Sequence, residues 1–269
     1  MTVLPPTTAL VLEPRGSVLT VWLNRPEAKN ALSAAMVDEL GAVLDAIRDD
    51  RSLRTVILRG KGGVFCAGGD IKGFRSDLQG GEPGREDIAR GNRSFGDLML
   101  KLNEQPQVVI ILVEGAAIGG GLGLACVGDV TIVTRDARFR LSETSLGIPP
   151  AQIAPFVTER VGLTQARRLM LTGARFEGEE AVRCGIGHIL AEDAADMEAK
   201  CAAVLEQIAL CAPGANAVTK GIVFETTRLP RPQALDFAAR GFADCMLSAE
   251  GREGVAAFVE KRKPQWATD

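Results

Sequence analysis

The chain has no tyrosine and only one histidine among its 269 residues. Together these absences restrict the groups available for acid–base chemistry. His188 sits in the apolar phrase GIGHIL, where a packed role outweighs that of a base. The six cysteines, Cys66, Cys126, Cys184, Cys201, Cys211 and Cys245, are scattered without a CxxC pair, so no metal site is expected. They read as small buried residues of a reducing compartment. A net charge of −3 and a pI near 5.5 leave no basic footprint for nucleic acid. No apolar run is long enough to span a membrane. The opening residues, MTVLPPTTAL, lack the basic and apolar regions of a signal peptide, so the expected location is cytoplasmic. Low-complexity segments are missing as well.

What remains is ordinary globular composition, 46% hydrophobic and 24% charged, on a chain long enough for one domain with an appendage. Its centre is residues 108–129, VVIILVEGAAIGGGLGLACVGD. The β-branched run Val108–Val113 reads as a buried strand. It passes through Gly115 into Gly119, Gly120 and Gly121 and continues as the apolar helical run Leu122, Leu124, Ala125, Cys126. Such a turn presents bare backbone N–H groups at a helix N-terminus, where developing negative charge is held. Glycines alone would equally serve close packing. A second glycine element upstream, Phe65–Phe74 (FCAGGDIKGF), favours the anion-holding role.

Along the chain, Val18–Leu23 reads as a strand, and Ser33 caps a helix whose apolar positions are Met36, Leu40, Val43, Leu44 and Ile47. Thr55–Arg59 is the next strand. Residues 75–94 are polar and glycine-rich, the composition of a loop or lid, with a helix over Phe95–Asn103. Short strands follow at Val130–Val133 and Arg138–Leu141. Then comes Ser142–Pro150, a turn-rich segment carrying Glu143. Thr164–Leu171 reads as a helix and Gly178–Gly185 as a turn-helix unit. Beyond about Asp193 the chain is helical, with one apolar face of Met197, Cys201, Val204, Leu205 and Ile208 and another of Leu235, Phe242 and Met246. The composition therefore divides into a core, residues 1–194, and a helical C-terminal region, 195–269. Composition alone supports an α/β class.

Two strand–glycine–helix turns and one turn-borne carboxylate are the parts needed to hold an enolate and move its protons. In order and wording, the phrases LNRPEAKNALS, FCAGGDIKGF, VEGAAIGGGLGLACVGD, ETSLGI, GLTQARRLMLTG and FVEKRKP resemble the crotonase (enoyl-CoA hydratase/isomerase) family over nearly the whole chain. The resemblance implies a spiral of β-β-α repeats whose C-terminal helices assemble a trimer or a dimer of trimers. It implies an acyl-CoA substrate, with coenzyme A arriving as part of it and no separate cofactor. The implied oxyanion donors are the N–H groups of Gly69 and Gly120, with Glu143 as the acid/base. Ala67 and Gly69, Asp70, Ile71 and Lys72 would line the thioester site. Arg25, Ala28 and Lys29 would contact the nucleotide end, where cations suit phosphates. Phe258 and Lys261 would reach coenzyme A, often from a neighbouring subunit.

The departures from the family pattern narrow the reading. Ordinary hydratases carry a first glutamate two residues beyond the glycine triplet, where this chain has Gly123. One-glutamate patterns occur in family isomerases and in 3-hydroxyisobutyryl-CoA hydrolases, but the hydrolases have an aspartate where this chain has Ala151. The tyrosine-dependent decarboxylases are disfavoured because there is no tyrosine. ETSLGIPPAQIAPFV, GLTQARRLMLTGARF and VEKRKPQWA resemble the isohexenylglutaconyl-CoA hydratase branch, which acts in acyclic terpene degradation and also has glycine at the first position. That resemblance implies hydration of a branched unsaturated acyl-CoA with a distal carboxylate. A Δ3,Δ2-enoyl-CoA isomerase using Glu143 alone and a non-catalytic acyl-CoA-binding homologue stay open as alternatives. Apolar surroundings at Leu146, Gly147 and Ile148 are expected to raise the Glu143 pKa by desolvation.

Overall fold

A computed structural model describes residues 2–70 and 84–267. Six strands form the main sheet: β1 (Leu10–Arg15), β2 (Val18–Leu23), β3 (Thr55–Gly60), β4 (Val108–Val113), β6 (Val130–Thr134) and β9 (Ile189–Ala191), in that spatial order. Only the β1–β2 hairpin is antiparallel; every later pairing is parallel. A second sheet holds β5 (Ala116–Ile118), β7 (Arg138–Arg140) and β8 (Arg175–Glu177). The helices are α1 (Ala34–Ile47), α2 (Arg85–Asn103), α3 (Gly120–Cys126), α4 (Ala154–Thr172), α5 (Gly178–Arg183), α6 (Ala194–Ala209), α7 (Pro213–Arg228), α8 (Arg231–Leu247) and α9 (Ala249–Val259). Strands β4 and β5 precede α3, and β6 and β7 precede α4, the β-β-α succession expected from the sequence. No single helix among the described residues is long and apolar enough to cross a membrane.

The central strand explains its own composition. Side chains alternate across a strand, so Val109, Ile111 and Val113 enter the larger core while Ile110 and Leu112 enter the smaller one. Met197, Cys201, Val204 and Ile208 of α6 cover that second face. A strand buried on both sides has no place for polar residues, hence VVIILV. Helix α1 begins where Ser33 accepts a hydrogen bond from the Met36 N–H, and its buried residues are the five positions expected from periodicity.

Some expectations give way. Residues 71–83, with part of the second glycine element and of the expected lid, lie outside the described residues. From Arg85 onward the chain is helical, not a loop, and α2 runs unbroken into Asn103. Its first half is polar because it is exposed, and Glu86 and Asp87 complement the positive end of the helix dipole. Helix α4 starts at Ala154, ten residues before the expected Thr164, and changes direction at Gly162, where φ is 74°. Cys66, Cys126, Cys184 and Cys201 are buried as expected, but Cys211 is exposed and Cys245 partly so. Leu235, Phe242 and Met246 of α8 are exposed in this single chain. His188, expected to be packed, is exposed at one edge and held at both ring nitrogens: its Nδ1 accepts from the Thr131 N–H at 2.9 Å and its Nε2 lies 2.8 Å from Arg160 Nη1. Burial first, and the Arg160 cation second, push its pKa down, so the ring is neutral.

One buried polar side chain organises the loop between β2 and α1. Asn30 is fully buried with φ at 55°. Its Nδ2 donates to the carbonyls of Lys61 and Val64 at 2.9 and 2.6 Å, and its Oδ1 accepts from the Arg25 N–H at 2.8 Å. The amide thereby pins residues 25–31 against the chain that leaves β3 for the second glycine element. Replacing it strands a donor and two acceptors inside the protein. Asn30→Ala should cost roughly 2–4 kcal/mol of stability, read as a lower midpoint in urea unfolding.

Candidate active site

The two glycine turns are brought together by backbone pairing. Phe65 and Cys66 donate to the Glu114 and Ala116 carbonyls at 2.9 Å each, and the Cys66 carbonyl accepts from Ile118 at 3.0 Å. Residues 65–66 thus run along β5. On the other side, the Leu32 N–H donates to the Gly68 carbonyl at 2.8 Å, and the Asp70 N–H donates to the Leu32 carbonyl at 3.1 Å. Because residues 68 and 70 both pair with Leu32, the N–H of Gly69 points the opposite way, and it has no partner among the described residues. A Cβ on Gly68 would lie 2.9 Å from the Ile118 carbonyl oxygen and 3.8 Å from the Gly120 nitrogen. Gly120 opens α3, so its N–H is free of helical bonds and likewise has no partner among the described residues. The arrangement is a pair of adjacent, unspent N–H donors.

The glycine triplet divides its work between ligand access and packing. Gly119 has φ at 52° and ψ at −118°, a conformation open to glycine alone, and its N–H is held by the Arg140 carbonyl at 2.8 Å. Gly121 is needed for close approach, since a Cβ there would sit 2.6 Å from the Cys66 carbonyl oxygen. The close-packing reading of the triplet is met at Gly121, while the Gly120 N–H has no partner among the described residues.

Glu143 begins a 3-10 turn, Glu143–Leu146, that follows β7. A Cβ at Gly119 would fall 2.7 Å from Glu143 Oε1, so the carboxylate lies directly against the turn that presents Gly120. Its Oε2 is buried with no hydrogen-bond partner, and no ion pair reaches Glu143 among the described residues. Burial raises its pKa above the ordinary glutamate value, partly opposed by hydrogen bonds from its own N–H and that of Ser142. The source of that burial differs from expectation: Leu146 and Ile148 are 56% and 49% exposed. They point outward, and the carboxylate is desolvated by its seat against the Gly119 backbone. Ser145 Oγ donates to the Ser142 carbonyl at 2.6 Å and Thr144 Oγ1 to the Met170 carbonyl at 3.0 Å, fixing the turn.

Gly123 is where a second carboxylate would project, and the space is taken. A Cβ there would lie 2.3 Å from Ile153 Cγ2 and 3.5 Å from Met99 Cε. Ile153, at the N-terminal end of α4, is the residue that sequence reasoning missed, because the contact joins positions thirty residues apart. Phe95 was also missed as a wall of the site: its ring lies 3.3 Å from where a Cβ on Gly120 would be, opposite Leu32 at 2.9 Å.

The other expected contacts separate into groups. Arg25 is already engaged: it pairs with Asp70 at 3.1 Å and donates to the Ala31 carbonyl at 2.8 Å, so its cation braces the loop and is not free for a phosphate. Ala28 ends the short 3-10 turn beside it, and Lys29 closes that turn with φ at 51°. Lys29 and Ala67 line a groove of about 1180 Å³ with Ile118 and Ser142 at its inner end and Arg138, Arg140, Arg175 and Arg183 along it. Glu177, Glu179 and Glu180 line it too, and Arg183 pairs with Glu180 at 3.6 Å, so Lys29, Arg138, Arg140 and Arg175 are the cations that remain to meet a polyphosphate. Ile71 and Lys72 lie outside the described residues. Phe258 is 86% exposed at the end of α9, so it is not seated in the site of its own chain, and Lys261 is exposed beyond it.

Two N–H groups without partners among the described residues, and a desolvated carboxylate with one oxygen unpartnered, are the parts that stabilise an oxyanion while a proton moves nearby. The enoyl-CoA hydratase/isomerase family model matches residues 13–269. The chain belongs to that family. It is an enzyme of the enoyl-CoA hydratase type. Its fold is similar to that of Pseudomonas aeruginosa AtuE, with a TM-score of 0.94 and 53% identity over 97% of this chain and 100% of that one. It is 34% identical to a probable enoyl-CoA hydratase of Bacillus subtilis (strain 168) over 93% of this chain and 95% of the relative. A carnitinyl-CoA dehydratase of Proteus mirabilis (strain HI4320) is also 34% identical, over 96% and 98%.

The raised pKa of Glu143 has a consequence for stability. A group whose folded pKa lies above its unfolded value favours the native state below the unfolded value, and that contribution is lost as pH rises through the folded pKa. Ionising Glu143 therefore costs more in the folded chain than in the unfolded one, which opposes folding at neutral pH. Glu143→Gln should be more stable than the wild type at neutral pH, with the gap closing as pH falls through the folded pKa towards the ordinary value of 4.5. Denaturant unfolding at several pH values measures the gap.

Proposed function

We propose that the enzyme adds water to a branched α,β-unsaturated acyl-CoA bearing a distal carboxylate, of the isohexenylglutaconyl-CoA type found in acyclic terpene degradation. The observation that carries the chemistry is the Glu143 carboxylate, with Oε2 buried and unpartnered and Oε1 against the Gly119 backbone, next in the chain to a Gly120 N–H that, like that of Gly69, has no partner among the described residues. Water oxygen bonds to C3 while the thioester carbonyl becomes an enolate held by the two N–H donors. Glu143 accepts the proton released by that water and returns a proton to C2. The donors act because the oxygen carries more charge in the transition state than in the substrate, and losing one such donor costs roughly 10²–10³-fold in rate. The substrate assignment is supported by the three stretches shared with the isohexenylglutaconyl-CoA hydratases. It is supported too by Ile153, which occupies the place of the usual first glutamate and so favours a catalyst that works with one carboxylate.

The reading extends to the whole assembly. The arginine-rich groove carries the nucleotide end of coenzyme A, Lys29 meeting its phosphates. The exposed apolar residues of α8 pair copies of the chain into a trimer or hexamer in the cytoplasm. Phe258 and Lys261 serve a neighbouring copy's site, and the break near residue 194 separates the spiral core from this assembly region. One observation favours a second reading: a lone carboxylate suffices for a Δ3,Δ2-enoyl-CoA isomerase, in which a single group shuttles a proton between carbons.

Isotopically labelled water separates the two. Offered isohexenylglutaconyl-CoA, 3-methylglutaconyl-CoA and crotonyl-CoA, the enzyme should incorporate solvent oxygen rapidly into the long branched substrate and little into crotonyl-CoA. Glu143→Gln should lower kcat by roughly 10²–10⁴-fold. Double-bond migration without oxygen incorporation would establish the isomerase. Tight binding with no product from any of them would make the protein a binder of acyl-CoA.

A further inference from the structure

A polar cluster stands just beyond the apolar wall of the site, on both of the elements that build that wall. On α2, Met99 faces the space at Gly123, Phe95 faces Gly120, and Asn92 is one helical turn further out on the same face. At the start of α4, Ile153 fills the space at Gly123 and its neighbour Gln152 reaches α2. The meeting point is Gly96, which is buried and whose missing side chain makes the room. A Cβ there would lie 2.1 Å from Gln152 Oε1 and 2.8 Å from Arg93 Nη1. Gln152 Nε2 donates to Asn92 Oδ1 at 2.8 Å, which leaves the Asn92 NH2 without a partner among the described residues. Among the described residues Arg93 pairs only with Asp97, four residues on, at 2.7 Å, and both side chains are more than half exposed. Such an exposed pair on one helix is worth a few tenths of a kcal/mol, so a better anion displaces it readily.

We propose that Arg93 and Asn92, braced by Gln152, form the subsite that receives the distal carboxylate of the acyl group and so set the enzyme's preference for glutaconyl-type substrates. The assignment rests on the substrate class proposed above. Three features support it. Arg93 offers a planar fork and Asn92 a free NH2, the donor set a carboxylate accepts best. Asn92, three residues before Phe95 on the same face, stands about 4.5 Å from it along the helix axis, close to the reach of a carboxymethyl arm from C3, and the Arg93 guanidinium comes round to that side at Gly96. Ile153, Met99 and Phe95 leave an apolar surface between this cluster and the oxyanion donors, suited to the hydrocarbon that joins the two ends of the substrate.

The test uses two thioesters that cannot be hydrated, glutaryl-CoA and butyryl-CoA, which differ by the terminal carboxylate. Titration calorimetry on the full-length enzyme should give the wild type a preference for glutaryl-CoA of roughly tenfold or more, as expected for a charge-assisted pair in a partly dry site. Arg93→Met should bring the ratio of the two affinities to within about twofold of one, with Arg93→Lys intermediate. Binding of butyryl-CoA by each variant shows that it is folded. A wild type indifferent to the carboxylate, or an Arg93→Met enzyme that keeps the full preference, would overturn the subsite. The outcome is separable from that of the hydration assay. A glutaryl-CoA preference that depends on Arg93 supports the subsite even where isohexenylglutaconyl-CoA is not hydrated. Hydration of that substrate by an Arg93→Met enzyme that keeps both its preference and its KM contradicts the subsite and leaves the reaction standing.

Discussion

The active site depends on a single backbone constraint: the segment around residues 65–70 is clamped between β5 on one side and Leu32 on the other. Hydrogen bonds to Ala116 and Ile118 fix its distance from the glycine triplet, and those to Leu32 fix its rotation. Since neighbouring peptide groups in an extended segment point in opposite directions, satisfying residues 68 and 70 leaves the Gly69 N–H aimed away from Leu32. The Gly120 N–H is free for a different reason, because the first turn of a helix has no carbonyl to bond. Two ordinary rules of backbone pairing thus leave two donors unspent side by side. Asn30 secures the arrangement from below, by tying the Leu32 loop to the chain entering from β3.

Against this rigid frame, the placing of Glu143 decides the chemistry. A carboxylate with a buried, unpartnered oxygen is costly unless the protein has a use for it. Its carboxylate packs against the Gly119 backbone, next in the chain to the Gly120 N–H, and burial keeps its pKa high. The same close packing shuts out a second carboxylate, because Ile153 occupies the volume at Gly123. Selectivity would then follow from one exchange: a polar catalytic group is given up for apolar wall, and the substrate's own polar group is met further out, on α2.

Much of this was legible in the sequence, and for identifiable reasons. Helix α1 and strands β2, β3 and β4 are dictated by burial, which writes period 3.6 or a continuous apolar run into the chain. The two glycine turns stood out as strand-to-helix junctions, but glycine serves close packing there as readily as ligand access, and it was their pairing with a turn-borne Glu143 that pointed to a site. The first half of α2 was not, since an exposed helix rich in arginine, glycine and serine has the composition of a loop. Of the three-residue strands only β7 was read, within Arg138–Leu141; β5, β8 and β9 gave no such signal at that length. Arg25 carried a charge that suited a phosphate, but charge alone does not reveal that Asp70 already holds it. Ile153 and Gln152 acquire their meaning only from residues on α2 and α3 that the fold brings to them.

The central claim is that Gly69 and Gly120 hold an enolate oxygen. Acetoacetyl-CoA tests it most directly, because its enolate absorbs in the near ultraviolet and its keto form does not. Mixed with the enzyme below the pH at which it ionises in solution, it should give the enolate difference spectrum in proportion to occupied sites. Saturable binding of acetoacetyl-CoA that leaves it wholly in the keto form across the same pH range would contradict the account.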